Sequence, residues 1–153
     1  MRTFVLSLVV LSLSSISIQV NGMEVDGQRV SIMECELDSG GLFASAIVVS
    51  SLSKEKAALD ACAPAGGAYD AVWTWGSGAK VEVIRGEPAA GIPCIQKALE
   101  TVESDLNGSC NATLLVGDPA GADTALIKLN PPAAHVEEVP AEAAEPQPSA
   151  ADK

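Results

Sequence analysis

A single histidine, His135, occurs in the 153 residues. That scarcity removes most His-centred catalytic triads and His-rich zinc sites from consideration. Aromatic side chains make up 3% of the chain, too few to wall a large aromatic cofactor cavity, and no cofactor is expected. Basic residues are scarce as well, 9 against 20 acidic ones, for a formal charge of −11. Nucleic acid and anionic membrane surfaces are held by clustered Lys and Arg that displace counterions, so neither is an expected partner. Beyond the N-terminal segment no run approaches the ~18 apolar residues of a spanning helix. The length allows one ordinary domain rather than two.

What is present points first to export. Residues 1–22 read as a secretory signal peptide. Arg2 supplies the positive end, Phe4 to Val10 with Leu11 and Leu13 the apolar stretch, and Val20 and Gly22 the small residues at −3 and −1. A membrane anchor is the alternative, disfavoured by a short run diluted with serine. The final Ala-Asp-Lys is neither an anchor-addition signal nor a retention tetrapeptide. Residues 131–153 are dominated by Ala, Pro and Glu and hold almost no large apolar side chain. Such a segment cannot offset the entropy of ordering, and a disordered acidic tail is expected, with a helical turn at Ala141 to Ala144 on partner binding as the alternative. Residues 23–130 are then the folded domain, and the expected location is extracellular.

All four cysteines, Cys35, Cys62, Cys94 and Cys110, fall within that domain. An even number in a small exported domain reads as two disulfides. Zinc is the rival, but no two of the four form a C-x-x-C knuckle and no metal site is expected. Asn107-Gly108-Ser109 and Asn111-Ala112-Thr113 are glycosylation sequons on either side of Cys110, which makes Asn107 and Asn111 candidate glycan sites.

Val30 to Leu37 alternates, with Met33, Cys35 and Leu37 on one face and Glu34 and Glu36 on the other, as a half-buried strand does. Leu42 to Cys62 reads as mostly helical, although Ala46 to Val49 could equally form a short strand. Tyr69 to Trp75, a Gly76-Ser77-Gly78 turn and Lys80 to Arg85 predict a hairpin. Ile92 to Leu106 predicts a helix with Ile95, Ala98, Leu99, Val102 and Leu106 on one stripe. Thr113 to Val116 is a further strand, Gly117 to Asp123 a loop, and Ala125 to Leu129 an optional edge strand. The expected fold is therefore α+β, in the order β-α-β-β-α-β. A split βαβ, ferredoxin-like sandwich would give one antiparallel sheet with both helices on one face. Four cysteines allow three connectivities. In that fold Cys35 and the start of the second helix share one end and the two helix C-termini the other, which selects Cys35–Cys94 and Cys62–Cys110.

A small exported domain with cysteines on the first strand, on both helices and beside the last strand resembles the killer protein six family over roughly Val30 to Leu129. That family includes a smut-fungus viral toxin and the killer-toxin-like secreted effectors of plant-pathogenic fungi. The resemblance implies a secreted α/β sandwich without enzymatic activity, directed at a host or a competitor. The toxins carry more cysteines and are released at dibasic sites, and this chain has no adjacent Lys/Arg pair.

Other chemistry is thin. Gly117-Asp118-Pro119-Ala120-Gly121 lacks the Lys and helix of a phosphate cradle, and Trp75-Gly76-Ser77-Gly78 has no His within the domain to activate Ser77. Glu34 and Glu36 with Asp70 or Glu82 could pair for glycoside hydrolysis, but a solvated sheet face is the expected reading. Tyr69, Trp73 and Trp75 share strand parity. They either fill the core beneath the helices, which is the expectation, or form an exposed interaction face for protein or sugar. The expected function is a non-catalytic secreted effector or toxin-like protein acting through protein contacts in the host apoplast or on competitors. The alternative is a carbohydrate-binding or inhibitor module with cell-wall polysaccharide as partner.

Overall fold

The computed structural model describes residues 16–39, 43–76 and 79–131. The leader through residue 15, residues 40–42, Ser77 and Gly78, and the acidic tail after Pro131 lie outside the described residues.

The described residues begin with a hairpin of β1 (Ile16–Val25) and β2 (Gln28–Leu37). Asp26 and Gly27 both have positive φ, 50° and 78°, so the two strands are joined by a two-residue turn of the Asp-Gly type whose twist matches theirs. β1 begins within the residues read as the leader, and a cut after Gly22 would remove most of it. The helical segment that follows is helix throughout Ala46 to Val49, but it is broken at Lys54–Glu55 into α1 (Ala44–Ser53) and α2 (Lys56–Cys62). β3 (Gly67–Trp75) and β4 (Lys80–Glu87) form the expected hairpin. A 3-10 turn at Ala89–Gly91 leads into α3 (Ile92–Leu99). β5 (Gly108–Val116) and α4 (Pro119–Leu129) complete the order.

The five strands form one antiparallel sheet in the order β1-β2-β5-β3-β4. β2 and β3 are thus parallel across β5, and β4 and β5 are parallel across β3. Along β3 and β5 successive side chains alternate between the two faces. Tyr69, Ala71, Trp73, Leu114 and Val116 enter the main core with Val48, Leu52, Leu59, Ile95 and Leu99 from α1, α2 and α3. Ala68 and Leu115, of the opposite parity, form a second core with Ala122 and Ala125 of α4. Helices therefore cover both faces of the sheet.

Several expectations are corrected by this arrangement. The end of the domain is a helix, because Asp118 caps the Gly121 amide, Pro119 opens the first turn, and Ala122 and Ala125 face Leu115. Two arginines fasten that helix. Arg29 bonds Asp123 at 2.5 Å near its start, and Arg85 donates to the Leu129 carbonyl and the Asn130 side chain at its end. α3 stops at Leu99 rather than Leu106. Thr101 donates back to the Ala98 carbonyl, and the Ser104 hydroxyl accepts from the Leu106 amide, local bonds that compete with helix continuation.

The disulfide pairing is also corrected, to Cys35–Cys110 and Cys62–Cys94. β5 starts at Gly108, so Cys110 is not a loop residue behind a helix. It sits directly opposite Cys35 on the neighbouring strand, with Cα atoms 4.1 Å apart. Cys62 ends α2 and Cys94 lies in the first turn of α3, where the two helices meet 5.5 Å apart between Cα atoms.

Tyr69 illustrates how closely the sheet packs. Its ring is fully buried and its hydroxyl donates to the Pro88 carbonyl at 3.1 Å. A Cβ at Gly91 would collide with that hydroxyl, so glycine is required there. Burial, assisted by the nearby charge of Glu87, pushes the phenol pKa up. A raised pKa means the stability this group contributes is intact below about pH 10 and is lost as pH climbs further. The chain has one tyrosine, so phenolate absorbance reads Tyr69 alone. Ionisation is expected only together with alkaline unfolding. A reversible titration near pH 10 in the folded protein would contradict the burial.

Candidate interaction surface

Alternation along β3 sends Tyr69, Trp73 and Trp75 inward, where they are 0%, 2% and 8% exposed. The structure thus brings the three together as core. They provide no interaction face, and the stacking platform required by a sugar-binding reading is absent from this row.

Among the carboxylates, Glu34 and Asp70 border one depression on the outer sheet face, each engaged by its own partner. Glu34 lies on the outer face of β2 and accepts from Gln19 at 2.9 Å. Glu36 is exposed on that same face. Asp70 on β3 is engaged by Arg85 at 2.5 Å and by the Thr113 hydroxyl at 2.6 Å. Glu82 on β4 pairs with Lys80 at 3.2 Å. Glu34 and Glu82 stand three strand spacings apart, roughly 14 Å, well beyond the ~5–9.5 Å of paired glycosidase carboxylates. Among the described residues no group of three His, Cys, Asp or Glu side chains is placed to hold a metal ion. Among the same residues no helix is long and apolar enough to cross a membrane.

The sequons occupy different settings. Asn107 is exposed in the loop before β5, its side chain against Gly76. Asn111 is exposed on the outer face of β5, between Glu34 of β2 and Val72 of β3.

The most pronounced apolar exposure lies elsewhere, at the start of α1. Phe43 is 75% exposed and Ile47, one turn on, 41%. They border a groove of about 1060 Å³ whose far side is the segment between α3 and β5. Glu100, Glu103 and Asp105 on that side are exposed, and Lys54 also lines the groove. The inner stripe of α1 is Val48 and Leu52, both fully buried. Phe43 and Ile47 belong to a second apolar stripe at i, i+4 spacing, legible on a helical wheel once α1 is placed. Reading only the inner face misses it.

No family model, curated protein or solved structure matches the chain.

Proposed function

We propose that the chain is a secreted, non-catalytic effector or toxin-like protein that acts by binding another protein through the Phe43–Ile47 groove. The observation that carries this reading is the exposed Phe43 ring beside the exposed Glu100, Glu103 and Asp105, on a domain stapled by two disulfides. A large, rigid aromatic at low entropic cost is the type of side chain that anchors protein interfaces. The acidic rim favours a partner that presents apolar residues flanked by Lys or Arg, and it steers such a partner by its field. The disulfides suit an oxidising compartment. A split βαβ frame, extended by β1 and α4 and differing from the ferredoxin-like order in having its last strand, β5, inside the sheet, is the proposed fold class. Its support is the pair of helical connections that each span one strand. The killer protein six family remains the proposed kinship, on the pattern of elements and cysteines.

The test is to immobilise the exported chain and challenge it separately with host apoplastic proteins and with cell-wall polysaccharides. The expected result is a retained protein whose binding weakens with ionic strength and falls about tenfold or more in a Phe43→Ala, Ile47→Ala double variant. Retention on polysaccharide alone, or protein binding indifferent to Phe43 and Ile47, would overturn the reading.

A further inference from the structure

The outer face of the sheet is covered by α4 at one end only. Beyond it Ile32 of β2 is 43% exposed and Ile84 of β4 61%, and with Val72 they line a depression of about 310 Å³. Asn111 borders the same depression and makes no side-chain hydrogen bond among the described residues. An attachment point for a sugar thus stands at a mainly apolar hollow that no residue of the leader lines.

We propose that Asn111 carries an N-linked glycan whose first N-acetylglucosamine lies over Ile32, Val72 and Ile84 as the missing cover of this sheet face. The proposal rests on the secreted reading above. A saccharide has an apolar side, formed by ring C–H groups and the acetyl methyl, and a hydroxyl side. The first suits the aliphatic side chains of the hollow by burial and dispersion, and the second suits water and the Glu34 and Asp70 carboxylates that line it with them. The occupant is tethered, so seating it costs little of the translational freedom a separate ligand would lose. In the folded protein β5 is paired on both sides and the Thr113 hydroxyl is held by Asp70. Transfer of the glycan therefore precedes insertion of β5 into the sheet. Asn107 does not border this hollow: its side chain lies against Gly76.

The experiment uses chain produced in a glycosylating eukaryotic host with isoleucine methyl labels. Spectra are compared after trimming to a single N-acetylglucosamine, after complete enzymatic removal, and for Asn111→Gln. With the single sugar retained, the Ile32 and Ile84 methyl signals are expected to be shifted relative to both sugar-free forms. The Ile47 signal, on α1 at the opposite face, is expected to stay in place. An unoccupied Asn111, or Ile32 and Ile84 signals indifferent to the retained sugar, would overturn the proposal. Expression with a substituted leader separates the two readings. Failure to leave the cell only with the native leader counts against secretion, whereas the methyl signals of the protein exported by the substituted leader judge the glycan alone.

Discussion

Replacing Trp73 by Ala is expected to destabilise the domain by on the order of 3–5 kcal/mol, a large share of the total stability of a chain this size. The ring is 2% exposed on the inner face of β3 and meets Trp75 edge to face, centroids 5.6 Å apart. That geometry contributes about 0.5–1.5 kcal/mol beyond the buried area and is lost with either ring. Trp73→Phe is expected to cost much less. It keeps an aromatic body in place and removes the indole Nε1–H, which is buried without a partner among the described residues. A buried donor left unpaired works against the native state by about 1–3 kcal/mol, so its removal offsets part of the lost volume. Denaturant titration of the two variants measures the contrast. A Trp73→Ala protein within about 1 kcal/mol of the parent would mean the ring is not packed as described.

Paired Cys→Ala replacement of either disulfide is expected to lower stability by roughly 4 kcal/mol, the scale at which such a small domain ceases to fold well. The sequence separations are 75 for Cys35–Cys110 and 32 for Cys62–Cys94. Loop entropy grows only logarithmically, so the first bond should be worth more by just about 0.8 kcal/mol. The structural consequences differ more than the energies. Loss of Cys35–Cys110 removes the covalent tie between β2 and the central strand, and loss of Cys62–Cys94 frees α2 from the start of α3. Hydrogen exchange should accordingly rise along β2 and β5 in the first variant and across α2 and α3 in the second. Unchanged melting in either variant would contradict the oxidised framework.

How far the sequence carried the fold depended on how each element announces itself. The alternation of Met33, Cys35 and Leu37 marked β2, and the same parity placed Tyr69, Trp73 and Trp75 inside, because period-two patterns survive whatever the neighbours are. The β1–β2 hairpin was legible in Asp26-Gly27, a strong short-range turn signal. Its first strand, however, lies largely in residues that also read as a leader. α4 was hidden for a different reason. Its stripe of Ala122, Ala125, Leu126 and Leu129 is helically spaced, but it starts with two small alanines and its Pro-Ala-Gly opening reads as a loop. The disulfide error followed from the strand order. Sequence proximity suggested that Cys110 belonged to a helix end, and only the insertion of β5 between β2 and β3 sets it opposite Cys35. The groove at Phe43 required knowing which face of α1 remains free, which no local pattern supplies.

One peptide map tests whether the chain is an exported, fully oxidised domain with β5 as its central strand. Tryptic cleavage after Arg29, Lys54, Lys56, Lys80, Arg85, Lys97 and Lys128 puts each cysteine in its own peptide. Chain recovered from the culture medium and digested without reductant should yield the peptides containing Cys35 and Cys110 joined, those containing Cys62 and Cys94 joined, and no free thiol. Peptides joined as Cys35–Cys94 and Cys62–Cys110, or four free thiols, would contradict it.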